Sequence, residues 1–249
     1  TAVPWIRACD LSAEGEGRLA RIRFVADGAV RTERASMLLL HDGVIPSVQI
    51  SRALGCAHVW DAAQHCWAPQ ADEWGRTSLP RILVAGDGAG IGGAAAAALS
   101  GRIVALGIAA GPGRLSTSMR DAAAAPLLAA RAKHRAVRPF LDALFAPLPI
   151  EADDDTILCR CEEVTAVRVR EAVGLGCLGA NQLKSFTRAG MGPCQGRMCG
   201  PAVAAVIAAA RGVPVAEVEP YRLRFPTKPL SLGELAAMHE EGATAPQVP

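Results

Sequence analysis

The sequence predicts an α/β protein in two parts: an α/β region, then a small, mostly α-helical, cysteine-bearing domain. Three observations carry this. A short apolar run, Arg81–Ala85, enters a glycine-rich turn and then an alanine-rich stretch, the order strand–turn–helix. A proline- and aspartate-rich segment near residues 146–155 reads as a linker. Beyond it, cysteines cluster among short helical patterns. At 249 residues the chain has room for one large or two smaller domains, taking roughly 100–200 residues per domain.

Composition excludes several classes. Hydrophobic residues make up 51% and charged residues 20%, which supplies a core and argues against disorder. A net charge of +2 offers no basic surface for nucleic acid. Apolar runs fall short of the ~18 residues a membrane span needs; the nearest, Ile91–Ala110, is interrupted by Ser100, Gly101 and Arg102. Thr1–Asp10 lacks a secretory layout, so the expected location is cytoplasmic. Aromatics are only 4%, with a single tyrosine, and alanine and glycine take the place of large side chains.

Taken in order, Arg21–Val25 alternates as a strand, and Asp27-Gly28 is a hairpin signal. Ser36–Leu40 reads as a short buried strand and residues 47–55 as a helix ending at Gly55. Residues 56–80 hold Trp60, Trp67 and Trp74 among turns. Arg81–Ala85 reads as a buried strand, residues 92–110 and 116–145 as helices, the latter with Arg131, Lys133, His134, Arg135 and Arg138 on its surface. Short helices follow at about 165–174, 180–187 and 196–211, then a helix-like Leu230–Met238 and a frayed end from Gly242 to Pro249.

Four of the eight cysteines form one pattern: Cys159-Arg160-Cys161, then 32 residues, then Cys194-Gln195-Gly196-Arg197-Met198-Cys199. A C-x-C pair is poorly placed for an internal disulfide but can put two thiolates on one metal centre. The second pair precedes or opens a helix, whose N–H groups favour anionic sulfur. Gly190, Gly192 and Gly196 are expected to let the backbone approach a bulky cluster. Structural disulfides, a four-cysteine zinc site and a [2Fe–2S] cluster all stay open on spacing. The cluster fits best, because zinc knuckles are usually C-x2–4-C and nothing points to an oxidising compartment. Cys9, Cys56 and Cys66 are scattered, and Cys177 reads as a buried free thiol. His41, His58, His65, His134 and His239 form no nucleophile or metal motif and read as surface or satisfied histidines.

The run Cys159–Val164, with Lys184 and then Thr187–Cys199, resembles the bacterioferritin-associated ferredoxin domain. Its C-x4-C version is similar to the one at the C-terminus of alpha-type flavoprotein subunits of opine dehydrogenases, hydrogen cyanide synthase and D-hydroxyproline dehydrogenases. The resemblance covers about residues 155–212. It implies that Cys159, Cys161, Cys194 and Cys199 hold a [2Fe–2S] cluster.

Gly88-Ala89-Gly90-Ile91-Gly92-Gly93 formally satisfies G-x-G-x-x-G. However, no acidic residue follows about 20 positions on, and about 80 residues precede the turn instead of none. The stretch Arg76–Asp87 better resembles the second flavin-binding signature of pyridine nucleotide–disulfide-oxidoreductase-like enzymes. By that resemblance Gly86 and Asp87 end the strand, Asp87 binds the flavin ribityl chain, and the backbone of Ile91 and Gly92 faces the ring. The alternative is a tight turn with Asp87 as a plain helix cap. Leu38–Ser47 resembles the crossover from the NAD-binding domain back to the FAD domain, a segment that lies near the flavin in that family.

These resemblances imply a fold of the α/β class: a partial FAD/NAD(P)-binding Rossmann-like domain followed by a small, mostly α-helical [2Fe–2S]-binding domain. The expected boundaries are 1–40 for the end of an NAD(P)-binding-like domain and 41–115 for the C-terminal part of the FAD domain. Residues 116–154 are helix and linker, 155–212 the cluster domain and 213–249 a tail. The first glycine turns of the family's FAD and NAD domains are missing, which implies a fragment or truncated product of a longer chain, or a missing half supplied by a separate chain. The implied function is an electron-transfer flavoprotein/iron–sulfur subunit of a heteromeric amine or imino-acid (opine, D-amino acid) dehydrogenase, with FAD and a [2Fe–2S] cluster and NAD(P) as a further candidate. The amine-oxidising chemistry is expected on a partner flavoprotein subunit. The alternative is a non-enzymatic iron–sulfur or zinc-binding interaction module, or an inactive fragment, with residues 1–115 as scaffold.

Overall fold

The computed structural model describes residue 6 and residues 8–41, 43–147, 150–227 and 229–241. The expectations for Gly242–Pro249 and for the His239 side chain lie outside the described residues. The chain divides into two compact units, residues 1–42 and 43–249.

The first unit is a three-stranded antiparallel sheet, β1 (Cys9–Glu14), β2 (Arg21–Ala26) and β3 (Ala29–Arg34), with β2 in the centre. The β2–β3 hairpin closes through Asp27 and Gly28 at φ 52° and 74°, the left-handed pair that a two-residue turn needs. Phe24 and Ala26, two residues apart on β2, are buried, while β1 and β3 are exposed throughout. The unit is thus a sheet with a single narrow apolar stripe.

The second unit begins with α1 (Gln49–Ala53) and an antiparallel hairpin, β4 (His58–Asp61) and β5 (Cys66–Pro69). Trp60 and Trp67 face each other across it, ring centroids 5.5 Å apart and edge-on. A 3₁₀ turn over Gly86–Ala89 leads to α2 (Ala94–Ala110), which packs on α3 (Thr117–Arg135). The buried residues of α2 are Ala96, Ser100, Ile103, Val104 and Gly107, a helical stripe of mostly small side chains. The Ser116 hydroxyl caps α3 by accepting the Met119 N–H, and Lys133, His134 and Arg135 occupy its last turn. The expected single helix over 116–145 is two, with α4 (Arg138–Leu144) starting anew at Pro139. Arg131 and Arg138 are not free surface charges: Arg131 donates to the Glu73 carbonyl and Arg138 pairs with Asp142.

Two expected strands are absent. Ser36–Leu40 is irregular, with Met37, Leu39 and Leu40 exposed. Arg81–Ala85 contributes only the isolated bridge Arg76–Leu83. A buried strand needs neighbours on both edges, and all three sheets among the described residues are small and antiparallel. The mixed α/β class holds, without a parallel sheet.

Beyond residue 150 a short hairpin, β6 (Ile157–Cys159) and β7 (Val164–Thr165), leads into α5 (Ala166–Gly174), α6 (Ala180–Thr187) and α7 (Gly200–Arg211). Val169, Leu183, Val203, Ile207, Val218 and Tyr221 belong to one core that these helices close over. A final helix, α8, spans Leu232–Glu241. Among the described residues no helix is long and apolar enough to cross a membrane.

Candidate functional site

The four patterned cysteines come together around this helical core. Cys159 ends β6 and is buried. Cys161 lies on the turn after it and is exposed. Cys194 lies in the turns before α7 and is half-buried, and Cys199, buried, is the residue before α7. They associate as two couples, each taking one cysteine from each half of the motif. The Cys161 and Cys194 thiols influence each other's titration, as do those of Cys199 and Cys159. Charge on Cys159 is felt at Cys161, and charge on Cys194 at Cys199, so the couples are neighbours. Among the described residues no three potential ligands converge on one ion-sized point. All eight cysteines are free thiols.

The backbone addresses these sulfurs unequally. Burial pushes the Cys194 thiol up, but the N–H groups of Met198, Gly196 and Arg197 directed at its sulfur, with a hydrogen bond from Cys161, bring it below its usual value. The Cys161 thiol feels the Cys194 N–H, which lowers it, yet the bond its thiol makes to the Cys194 sulfur leaves it raised overall. Cys199, at the start of α7, is pushed up to about 12 by burial and by Cys159. The helix start was expected to favour an anionic sulfur at the second cysteine pair. That benefit falls on Cys194, which the preceding turn surrounds with donors, while desolvation dominates at Cys199. Gly190 donates its N–H to Cys159 Sγ at 3.5 Å.

The three glycines also make room for their neighbours. A Cβ on Gly192 would lie 2.2 Å from Cys161 Cβ, so this glycine makes room for a cysteine. Gly190 and Gly196, at φ +82° and +76°, would each place a Cβ 2.5 Å from a ring carbon of Tyr221. The cysteine-bearing loop is therefore moulded around a tyrosine. Tyr221 is buried, with its Oη 4.0 Å from Cys199 Sγ, and Lys184 Nζ lies 5.1 Å from its ring centroid. Burial, then the neighbouring Cys199, raises its phenol above the usual range, keeping the O–H protonated. Sequence reasoning passed over Tyr221; the available signal was that it is the chain's one tyrosine. It also lines a cavity of about 350 Å³ with Arg52, His58, Trp67, Asn181 and Glu219.

The second candidate site is the glycine turn. Asp87 sits in the 3₁₀ turn, and its Oδ1 accepts the N–H groups of Gly92 and Gly93, both at 3.0 Å. Asp87 therefore holds the turn that leads into α2, whose N-cap is Gly93. The Gly92 N–H, expected to face a ligand, is taken by Asp87. The Ile91 N–H makes no hydrogen bond among the described residues. Gly86 adopts φ +69° at the entry to the turn. A Cβ on Gly88 would lie 3.6 Å from the Ser47 carbonyl, so the Gly43–Ser47 segment approaches this turn.

His58, Cys56 and Cys177 are satisfied by local partners. His58 hydrogen-bonds Ser51 Oγ and the Cys56 carbonyl, and burial holds it below its ordinary value. His65 and His134 are exposed. Cys56 contacts Thr77 Oγ1, and Cys177 donates to the Gly179 carbonyl from a fully buried position.

Among known proteins, the sarcosine oxidase A3 domain family matches residues 155–239, a match that runs past residue 212 through the Tyr221 segment. The chain is 42% identical to the A subunit of opine oxidase from Rhizobium meliloti over 231 residues, 92% of this chain and 44% of that protein. It is 37% identical to hydrogen cyanide synthase subunit HcnB of Pseudomonas aeruginosa over 174 residues, 68% of this chain and 37% of that protein. The chain thus spans less than half the length of these relatives. Its fold is similar to that in the crystal structure of L-proline dehydrogenase from P. horikoshii, with a TM-score of 0.63 and 21% identity over 90% of this chain and 43% of that one.

Proposed function

We propose that this chain is an electron-transfer component of a heteromeric amine or imino-acid dehydrogenase, carrying a [2Fe–2S] cluster and contributing to an FAD site. The observation that carries the reading is the convergence of both halves of the cysteine motif on one glycine-lined loop: the Gly190 N–H meets Cys159 Sγ at 3.5 Å, Gly192 packs against Cys161, and Cys159 and Cys199 lie in one core. Four thiols drawn from the two halves of the motif fit a unit of two irons with two cysteines on each. Such a cluster supplies one-electron storage when bound. The chain would supply four thiolates, the donors on Cys194, the Gly190 N–H on Cys159, and a buried inner edge. Cys161, the exposed member, marks the edge that an electron partner can approach.

The resemblance of Arg76–Asp87 to a flavin signature supports FAD at the glycine turn. So does the likeness in fold to an L-proline dehydrogenase. Asp87 would hold the turn in shape through Gly92 and Gly93, and the free Ile91 N–H would face the ligand. The similarity to the opine oxidase A subunit and to HcnB supports a hetero-oligomer; the amine-oxidising partner subunit and the cytoplasmic location belong to the reading proposed from the resemblance. NAD(P) is a further candidate cofactor. The cluster domain is proposed over 155–212, with Val218 and Tyr221 of the following segment completing its core.

Anaerobic purification, iron and acid-labile sulfide analysis, and EPR of the reduced protein test the reading. About two irons and two sulfides per chain are expected, and Cys161→Ser should lower both. Zinc without iron, or paired disulfides in a colourless protein, would refute it.

A further inference from the structure

We infer that Tyr221 is a positioning residue for the cluster, its phenol O–H donating to Cys199 Sγ and raising the cluster's reduction potential; this rests on the [2Fe–2S] reading above. Tyr221 Oη lies 4.0 Å from Cys199 Sγ, and it has no other hydrogen-bond partner among the described residues. An iron-bound thiolate has no proton to give, so the phenol must be the donor. A hydrogen bond to a ligand sulfur favours the reduced, more negative state, and such bonds are among the levers that set cluster potentials.

The ring is held for this purpose from several sides. Gly190 and Gly196 leave only enough room for its carbons, and a Cβ on Gly200 would be 3.7 Å away. Asn181 on α6 brackets the tyrosine from both neighbours. Its Nδ2 donates to the Pro220 carbonyl at 3.2 Å, and its Oδ1 accepts the Arg222 N–H at 2.7 Å. Lys184, one turn further along α6, donates to the Arg222 carbonyl at 3.3 Å and sits over the ring. Two side chains from one helix thus fix the backbone of a residue some 40 positions away, so that one hydroxyl meets one sulfur.

The test is potentiometric titration followed by EPR on the 249-residue chain, unaltered and as Tyr221→Phe. Tyr221→Phe should retain iron and sulfide while its equilibrium constant for one-electron reduction falls about tenfold, about 59 mV to the negative. Because Tyr221 is the chain's one tyrosine, growth on 3,5-difluorotyrosine replaces it alone. That ring differs only by two fluorines slightly larger than hydrogen and is a stronger donor, so the potential of a chain that still assembles its cluster should rise. The fluorinated chain carries the test if the phenylalanine variant fails to assemble. A loaded chain whose potential is unmoved by fluorination, or by Tyr221→Phe, overturns the donor role alone. An unaltered chain without iron and sulfide overturns the cluster reading, and the donor role with it.

Discussion

The Asp87 carboxylate accepts the N–H of Gly92 at 3.0 Å, and through the same oxygen that of Gly93. One side chain therefore ties together the two residues that lead into α2, Gly92 and the N-cap Gly93. This places Asp87 in the architecture of the turn whether or not a flavin is present.

Asp87→Ala should cost about 1–3 kcal/mol of stability, the range for losing a charged acceptor of backbone N–H groups. Asp87→Asn, which keeps an oxygen acceptor, should cost less. Urea denaturation of the three proteins decides between them. An alanine variant as stable as the parent would show that these two bonds contribute nothing net.

Helices were largely legible in the sequence because their signals are local. Residues 180–187 coincide with α6, and Gly212, in the left-handed conformation, marks the end of α7. Strands were less legible because a strand is completed by its neighbours. Ser36–Leu40 and Arg81–Ala85 have the composition of buried strands without partners among the described residues. The β4–β5 hairpin was hidden for another reason: its turn uses His65 at φ 46° where a glycine or asparagine would have signalled it. The cysteine spacing brought out the four thiols. It could not bring out Tyr221, whose part depends on α6 and on three glycines far from it in sequence.

Gly190→Ala should be strongly destabilising. A Cβ there would lie 2.5 Å from the Tyr221 ring at a φ of +82°. Overpacking and left-handed strain together amount to about 2–4 kcal/mol. In a Tyr221→Leu background the same substitution should cost at least about 1 kcal/mol less, because the ring it strikes is gone. A double-mutant cycle in urea reads this directly, and full additivity would refute the contact.

Gly101→Ala should act in the opposite direction. Gly101 lies inside α2 on an exposed face, and a Cβ there meets nothing within 4 Å. Alanine gains about 1 kcal/mol over glycine in a helix interior, a rise in Tm of about 2–4 °C for a chain of this size. Calorimetry that showed a lower Tm would mean the face is not open.

Cys66 gives the pH prediction. Burial, then the charges of Asp61 and Asp142, push its thiol up to about 11 from an ordinary value of 9.0. A thiol whose folded pKa is raised contributes stability that is fully present below its unfolded pKa. That contribution is lost as pH rises through the folded value. The Tm of the parent should therefore fall between pH 9 and 11 more steeply than that of Cys66→Ala. Subtracting the two curves removes the parallel effect of Cys199, which is also raised. At pH 8 only about one Cys66 side chain in a thousand would be thiolate, so iodoacetamide should label the exposed Cys9 well before Cys66. Mass spectrometry of the labelled peptides checks the order, and early labelling of Cys66 would show that the β5 thiol is not held in a desolvated site.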